Sequence, residues 1–551
     1  MIRTFDKSLN SKPHFGPLSL RMTSVLAALL LGSMFTYLVL KPTVGIDDAN
    51  ITQVYGQAFA ERLEFTYFAA GERVEGSTSL LWTLINALAY VLPGEGEFWI
   101  TATCIALTAL TLLNCWTLGR ITFTDDSATW LTTYSALFCG LFLAIPSFFA
   151  WSVWSLMDIT IWLALLSAGL VFTAEQLRAD SAAMTLGRST LFASCFALLT
   201  VTRPEGIAIA IGMLSYLLLH AVLRKQTQTR NQYIWALVAI LVVFGTATIW
   251  RMSYFGVPLP NTYYAKVTNG TLDQIISGSL YLLEFIRGDL NALLLVLAGV
   301  GVAVSLNFRN TFWTIMFDPR GLLCLFLLGL FSLYVFIGGD HFGSYRFYQP
   351  AFLVIIPFIA GSAVSIFSEL ESSRARTLIK MSYVALIMSV SVSLIGFSGD
   401  GGRLDHEFRI AESGRNLGTR LNQLSEDTSI AVISAGGIAV RYKQGPIYDL
   451  MGLNWSEMAH AKDDTPNAVT NFGNFVEPVF WKTRPDIVVP RLLPSCEFVD
   501  RYPTPFWSEA LKGMLQSRRF LSEYELICER SIALFARRDI AARVRRELSS
   551  S

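Results

Sequence analysis

The run from Met22 to Leu40 carries no charged side chain and ends at Lys41-Pro42. A segment of that length and composition can cross the hydrocarbon core of a bilayer as a helix. Comparable apolar runs follow near 98–118, 128–146, 153–173, 189–201, 206–223, 233–250, 291–307, 321–337, 347–367 and 381–397. Lipid supplies no hydrogen-bond partner, so each run must satisfy its own backbone. The expected architecture is a polytopic α-helical membrane protein of about eleven spans. Composition agrees: 53% of residues are hydrophobic and 15% charged, where soluble domains carry about 25% charged. A net charge of +1 gives no general attraction to nucleic acid.

The loops set the sidedness. Arg3, Lys7, Lys12 and Arg21 precede the first run, and no small-residue cleavage site is obvious. That run reads as a signal anchor with residues 1–21 in the cytoplasm. Arg120, Arg178 with Arg188, Arg224-Lys225 with Arg230, Arg309 with Arg320, and Arg374, Arg376 and Lys380 then fall on the cytoplasmic side. The outer loops hold Asp47-Asp48, Arg203-Pro204-Glu205, residues 261–266 and residues 338–346. Counting Ser79–Leu92 as a span would reverse every later loop, so it reads as a helix on the outer interface. Ile51, Val54, Tyr55, Ala58 and Phe59 repeat at helical spacing while Gln53, Gln57 and Glu61 lie elsewhere. That pattern predicts a second amphipathic helix on the membrane surface. The transmembrane domain therefore covers 22–397, with an outer loop at 42–97.

After Ser398 the chain turns polar, and residues 398–551 read as an extracytoplasmic α/β domain. Strands are expected at Ser429–Ile433, Ile447–Leu450, Asp486–Val489 and Ile532–Ala536. Five of the seven cysteines lie in apolar runs as small core residues, while Cys496 and Cys528 can pair as a disulfide outside. No CxxC or HxxxH spacing occurs, which leaves no structural zinc signature.

Isolated polar groups at the outer ends of spans are the candidate chemistry. Asp47-Asp48 follows the first span directly. Asp48 as the N-cap of a helix from Ala49 accounts for one carboxylate; a general base or a cation site accounts for two. On that division Asp47 is the expected base. Arg203-Pro204-Glu205 breaks an apolar stretch, either as an ion pair between half-helices or as a functional group at membrane depth. Asn261, Tyr264 and Lys266 fit an aromatic belt with a snorkelling lysine, or a ligand site. Asp340, His341 and Arg346 behind two glycines could bind a phosphate and hold a partner carboxylate. Glu75 ends a polar turn. No Walker A loop, GxGxxG, GxSxG or HExxH is present. A divalent cation near Asp47-Asp48 is allowed and not required.

These residues together resemble a known family. Ile46-Asp47-Asp48-Ala49 followed by Gly71–Trp82 is similar to the first outer loop of GT-C glycosyltransferases. In order come Trp154–Asp158, Thr202-Arg-Pro-Glu205, Leu259–Lys266, Gly338-Gly-Asp340 with Arg346-Phe347, and Tyr448–Leu453. The pattern most resembles the terminal β-(1→2) arabinofuranosyltransferases of mycobacterial arabinan and their proteobacterial relatives. One departure stands out: where that family tends to carry Gly-Leu-Glu, this chain has Leu156-Met157-Asp158. The resemblance implies a GT-C fold in the bacterial inner membrane, with its site facing the periplasm. It implies a polyprenyl-phosphate donor of a single sugar such as arabinofuranose, and an acceptor that is a cell-envelope glycan or a surface protein such as a pilin. Asp47 or Asp48 would be catalytic, and Arg203, Lys266, His341 and Arg346 would hold the donor phosphate. Glu75, Asp158, Glu205, Asn261, Tyr264 and Asp340 would bind substrate. A transporter or lipid flippase, and a polymerase or ligase using diphosphate-linked glycans, are the alternatives. The first predicts inverted repeats and ionisable groups near the midplane, neither of which is visible.

Overall fold

A computed structural model of the chain describes residues 16–123, 127–179, 183–267, 270–288, 290–305, 315–370, 372–400, 402–462, 471–490, 509–530 and 532–549. Among the described residues, eight helices are long and apolar enough to cross a membrane. Two bent pairs, Ala128–Leu143 with Pro146–Trp154 at 75° and Thr271–Arg287 with Asn291–Ala303 at 84°, bring the number to ten if each is one span. Leu186–Thr202 is shorter, at 17 residues. The bends correct two of the expected spans. The stretch read as 153–173 begins only at Ile159, because a π-helical segment Ala150–Trp154 and a tight turn precede it. Helix Thr271–Arg287, amphipathic and unread in the sequence, leads into the run expected at 291–307.

The spans are held by close aromatic packing inside, with Trp116, Trp130, Tyr134, Trp151 and Trp162 fully buried in one core. Their outer faces show bare leucine, valine and isoleucine such as Leu30, Leu38, Val242 and Ile249. Apolar surface facing outward and large rings facing inward is the pattern of a helix bundle solvated by lipid.

We label the first four helices α1 (Gly16–Leu40), α2 (Asp47–Arg62), α3 (Leu80–Val91) and α4 (Gly96–Phe123). The C-terminal region carries a five-stranded sheet of β1 (Ile430–Val432), β2 (Ile447–Asp449), β3 (Ile487–Val489), β4 (Tyr524–Glu529) and β5 (Ile532–Arg537) in the order β2-β1-β3-β5-β4. β1 pairs in parallel with β2 and β3, and β5 is antiparallel to β3 and β4. The four expected strands are found within a residue or two. β4 was not expected, because its Glu525 and Glu529 break the apolar alternation. Cys528 in β4 is disulfide-bonded; Cys496, the partner expected for it, lies outside the described residues.

The amphipathic helix α2 is not laid open on the membrane surface. Its apolar stripe of Ile51, Val54, Tyr55 and Ala58 belongs to the same hydrophobic core as the sheet domain, together with Phe65, Tyr67 and Val74 from the loop after it. The sequence pattern reports only that one face is apolar. Here a protein domain rather than lipid covers it, and the polar Asn50 and Gln53 are fully buried as well.

Candidate active site

Helix α2 begins at Asp47 with Ile46 as its N-cap, and no side chain caps it. The expected capping role of Asp48 is therefore not seen. Asp47 does cap a helix, but a different one. Its Oδ1 accepts from the Gly437 N–H at 2.7 Å and its Oδ2 from the Gly436 N–H at 3.0 Å. Those amides open helix Ala435–Arg441 of the sheet domain. Gly436 is required by contact: a Cβ there would lie 1.8 Å from the Asp47 carbonyl oxygen. Burial raises the Asp47 pKa to about 6 against the lowering effect of the two amides, with Asp48 raising it further. Both Asp47 oxygens are thus engaged by backbone, in a group that is 7% exposed.

Asp48 is differently placed. It lines a cavity with Thr52, Thr78, Asp158, Thr262 and Lys266, and its Oδ2 lies 3.9 Å from the Lys266 Nζ. Asp48 and Lys266 keep side-chain exposures of 25% and 20%, so both can meet a ligand.

Next to this cavity, and sharing Thr78, Thr262 and Lys266 with it, is a larger chamber of about 450 Å³. Arg203, Asp340 and Arg346 stand in its wall, with Leu333, Phe336 and Ile337 on its apolar side. The Arg203 Nε donates to Glu205 Oε1 at 2.7 Å, and its guanidinium lies 3.4 Å from Asp158 Oδ2. The ring of Phe347 sits 5.0 Å from that guanidinium. Arg346 pairs with Asp340 at 2.8 Å and rests 4.6 Å from the Phe342 ring. Burial, which would raise the Asp340 carboxyl, is outweighed by Arg346, His341, Lys266 and Arg203, which together hold it below the usual range. The chamber shares the Leu333 side of its wall with an apolar groove of about 360 Å³ between helices Gly206–Leu223 and Pro319–Ile337. Its walls include Ile209, Met213, Leu322, Phe326 and Leu330.

The structure thus brings together Asp48, Asp158, Arg203, Glu205, Lys266, Asp340 and Arg346. The remaining expected site residues lie elsewhere. Glu75 is consumed by Arg251, which donates to both of its oxygens at 2.7 and 2.9 Å. Asn261 gives its side-chain amide to the carbonyls of Gly452 and Leu453, at 2.8 and 3.0 Å. Tyr264 packs against His460 at 4.3 Å, and its neighbour Tyr263 takes the place in the chamber wall. His341 rests on Phe342 at 4.2 Å with its Nδ1 3.5 Å from Asp340, behind the wall rather than in it. Asn261 and Tyr264 thus link the membrane domain to the sheet domain, while Glu75 and His341 pair within the membrane domain.

Three groups were missed. Arg415, on the helix Gly402–Leu421, donates to Asn50 at 2.6 Å, to Glu97 at 2.8 Å and to Gln53, pinning α2 from above. Asp449 accepts from Met451 N, Asn454 N and Asn454 Nδ2 at 2.9, 3.0 and 2.9 Å. Burial raises its pKa to about 6. Glu407, on the same helix as Arg415, is raised to about 8 by burial and by Asp48, Asp47 and Asp340. The sequence does hold a signal for that helix. Leu404, Phe408 and Ala411 repeat at helical spacing and Arg415 continues the stripe, so an arginine sits on a buried face.

The departure at Leu156 has a structural counterpart. Leu156 adopts a left-handed backbone with φ of +58°, a conformation that glycine takes at little cost. Its carbonyl accepts from the Trp82 Nε1 at 2.9 Å, and the neighbouring Ser155 carbonyl accepts from Ile46 N at 3.2 Å. The turn that carries Asp158 is thereby fixed against the start of α2.

No protein-family model and no curated protein matches the chain. Solved structures do. ArnT from Cupriavidus metallidurans in the apo state superposes with a TM-score of 0.54 at 14% identity, over 94% of this chain and 98% of that one. The same protein bound to undecaprenyl phosphate gives 0.53 at 13% identity, over 93% and 97%. The archaeal oligosaccharyltransferase AglB from Archaeoglobus fulgidus, in complex with an inhibitory peptide and a dolichol-phosphate, gives 0.54 at 12% identity, over 96% and 75%. At such identities the shared property is the fold. The chain shares their fold, and in it a polytopic helical membrane domain is followed by a small sheet domain.

Proposed function

We propose that the chain is a glycosyltransferase that moves a single sugar from a polyprenyl-phosphate donor to an extracytoplasmic acceptor. One observation carries this reading: the apolar groove and the cation-lined chamber meet at Leu333. A ligand filling both must be apolar along its length and anionic at its end, which describes a lipid phosphate. Two of the structural neighbours are described with such lipids, undecaprenyl phosphate and a dolichol-phosphate.

The chemistry follows from the placement of charge. With the phosphate at Lys266, Arg346 and Arg203, the anomeric carbon comes next to Asp48. Asp48 takes the proton of the acceptor hydroxyl as that oxygen attacks the anomeric carbon. The bond from that carbon to the phosphate oxygen breaks, and the lipid phosphate leaves with one more negative charge. The three cations stabilise the charge as it forms. Asp47 is a positioning residue: its carboxylate has no free oxygen, and it fixes the first turn of α2 to the sheet domain. Asp158, Glu205 and Asp340 orient the cations. The reading needs no resident metal, because Lys266 supplies positive charge beside Asp48. Among the described residues no three His, Cys, Asp or Glu side chains converge.

The loop charges support a site on the outer side of the membrane, and the sequence resemblance suggests that this is the periplasmic face of a bacterial inner membrane. Arabinofuranose, the sugar the sequence resemblance suggests, is tested with a panel of polyprenyl-phosphate pentoses and hexoses given to purified protein in nanodiscs. Release of lipid phosphate from the arabinofuranosyl donor, dependent on Asp48, is the expected result. Turnover of diphosphate-linked donors alone would move the assignment to a polymerase or ligase.

A further inference from the structure

A second polar cavity of about 400 Å³ lies at the far end of α2. Its walls come from α2 (Gln57, Glu61), from the loop after it (Phe68), and from the turn after helix Ala435–Arg441 (Tyr442, Lys443, Gln444). At 1.5 Å per residue, Glu61 is about 20 Å along the helix from Asp48. The two sets of lining residues on α2 are also rotated by about 100° from one another. This cavity is therefore separate from the one that Asp48 lines, although both are built on one helix.

The lining chemistry narrows the ligand. Glu61 and Asp427 balance Arg62 and Lys443, so the cavity selects no ion of either sign. Gln57 and Gln444 add amides that both donate and accept. Glu61 and Lys443 are exposed, and among the described residues Lys443 has no carboxylate within ion-pair distance. The Phe68 ring is half-buried and stands edge-on to Tyr448, at 6.3 Å. Paired donors and acceptors suit vicinal hydroxyls, and a ring suits the C–H face of a sugar.

We propose that this cavity binds neutral saccharide units of the acceptor, remote from the hydroxyl that reacts. The word acceptor rests on the transferase reading; the saccharide site does not. Remote binding of this kind would let the protein choose an extended glycan over its terminal unit alone.

Two variants at exposed positions test it, Glu61→Ala with Lys443→Ala, and Ala69→Trp, which fills the cavity from its rim. Saturation-transfer NMR on purified full-length protein uses short linear pentose and hexose oligosaccharides as probes, with inorganic phosphate beside them. The proposal expects at least one neutral oligosaccharide to bind the wild type and to be lost in both variants. Binding of phosphate alone, binding of no oligosaccharide, or binding that survives both variants overturns it. In the transfer assay, kcat/KM for an oligomeric acceptor should fall about tenfold while a monosaccharide acceptor is unaffected. Equal loss on both acceptors overturns the acceptor assignment. A wild-type protein that binds the oligosaccharide here but transfers nothing refutes the transferase reading and keeps the site.

Discussion

Two charged regions flank α2, and they are built on opposite terms. Where α2 and the loop after it meet the sheet domain and helix Thr227–Tyr254, four charged side chains are closely partnered, although Gln53 Nε2, Tyr55 Oη and Asn454 Oδ1 nearby are buried without a hydrogen bond. Asp47 accepts two backbone amides, Glu75 takes both arms of its hydrogen bonds from Arg251, Asp449 accepts three, and Arg415 reaches Asn50, Gln53 and Glu97. In the chamber two pairs are short, Arg203 with Glu205 at 2.7 Å and Arg346 with Asp340 at 2.8 Å, and two are long. Lys266 stands 3.9 Å from Asp48 and Arg203 3.4 Å from Asp158. Arg346 Nε and Asp340 Oδ2 face each other as an ion pair without a well-directed hydrogen bond, and both polar side-chain atoms of Gln274 are buried without one. Saturated networks rigidify, and under-satisfied buried groups carry a cost that a ligand can relieve. The seam ties α2 to its neighbours, and on the proposed reading the chamber is where the donor binds.

That contrast can be broken most directly at the two adjacent aspartates. Asp48→Ala should lower transfer by about 10²–10⁴-fold, the usual worth of a general base, with thermal stability in detergent unchanged. Substantial residual turnover would return the base to another group. Lys266→Met should cost about 10²–10³-fold in kcat, as loss of one charge-stabilising donor does, read from single-turnover release of lipid phosphate. On the other side of the helix the damage should appear as stability. Glu75→Gln leaves Arg251 as an uncompensated buried charge and should cost about 3–5 kcal/mol, seen as a drop in unfolding temperature. Asp47→Ala orphans the Gly436 and Gly437 amides and should cost about 1–3 kcal/mol for each buried group left unpaired. Its transfer rate should fall less than that of Asp48→Ala. The reverse order of activities would exchange the two roles.

The smallest effect is a pH dependence. Glu407 has a folded pKa of about 8, above its ordinary value of 4.5. The folded state therefore holds this proton more tightly than the unfolded one. The resulting stability is fully present below 4.5 and is lost as pH rises through 8. Glu407→Gln should melt higher than wild type, by a margin that widens between pH 5 and pH 8. Transfer by the wild type should fall near pH 8, where Glu407 gains a negative charge that interacts with Asp48, and this fall should be absent in the variant.

Much of this arrangement was legible in the sequence. Apolar runs announced the spans because lipid imposes a length and a composition on each of them. β1, β2, β3 and β5 were visible as short apolar strands between turns. Arg203, Lys266 and Arg346 could be gathered on one side by loop parity alone. The division of labour between Asp47 and Asp48 could not be read, because it depends on Gly436 and Gly437 arriving from the far end of the chain. Glu75 and Asn261 looked like ligand contacts for the same reason: an isolated polar residue in an outer loop looks alike whether it meets a substrate or a strut. The bent pairs escaped because hydropathy measures length along the chain and is blind to a change of direction at residue 144 or 288.

The Asp47 clamp has a consequence for how the protein is made. Its partners are separated from it by 389 and 390 residues. Helix α2 follows the first span, yet this clamp on it closes only when about four-fifths of the chain has been synthesised. A contact of that order forms late in folding. On the proposed reading the Asp48 carboxylate is therefore aimed after the membrane helices around it have been laid down, and a truncated product would carry the charged chamber without the Asp47 clamp.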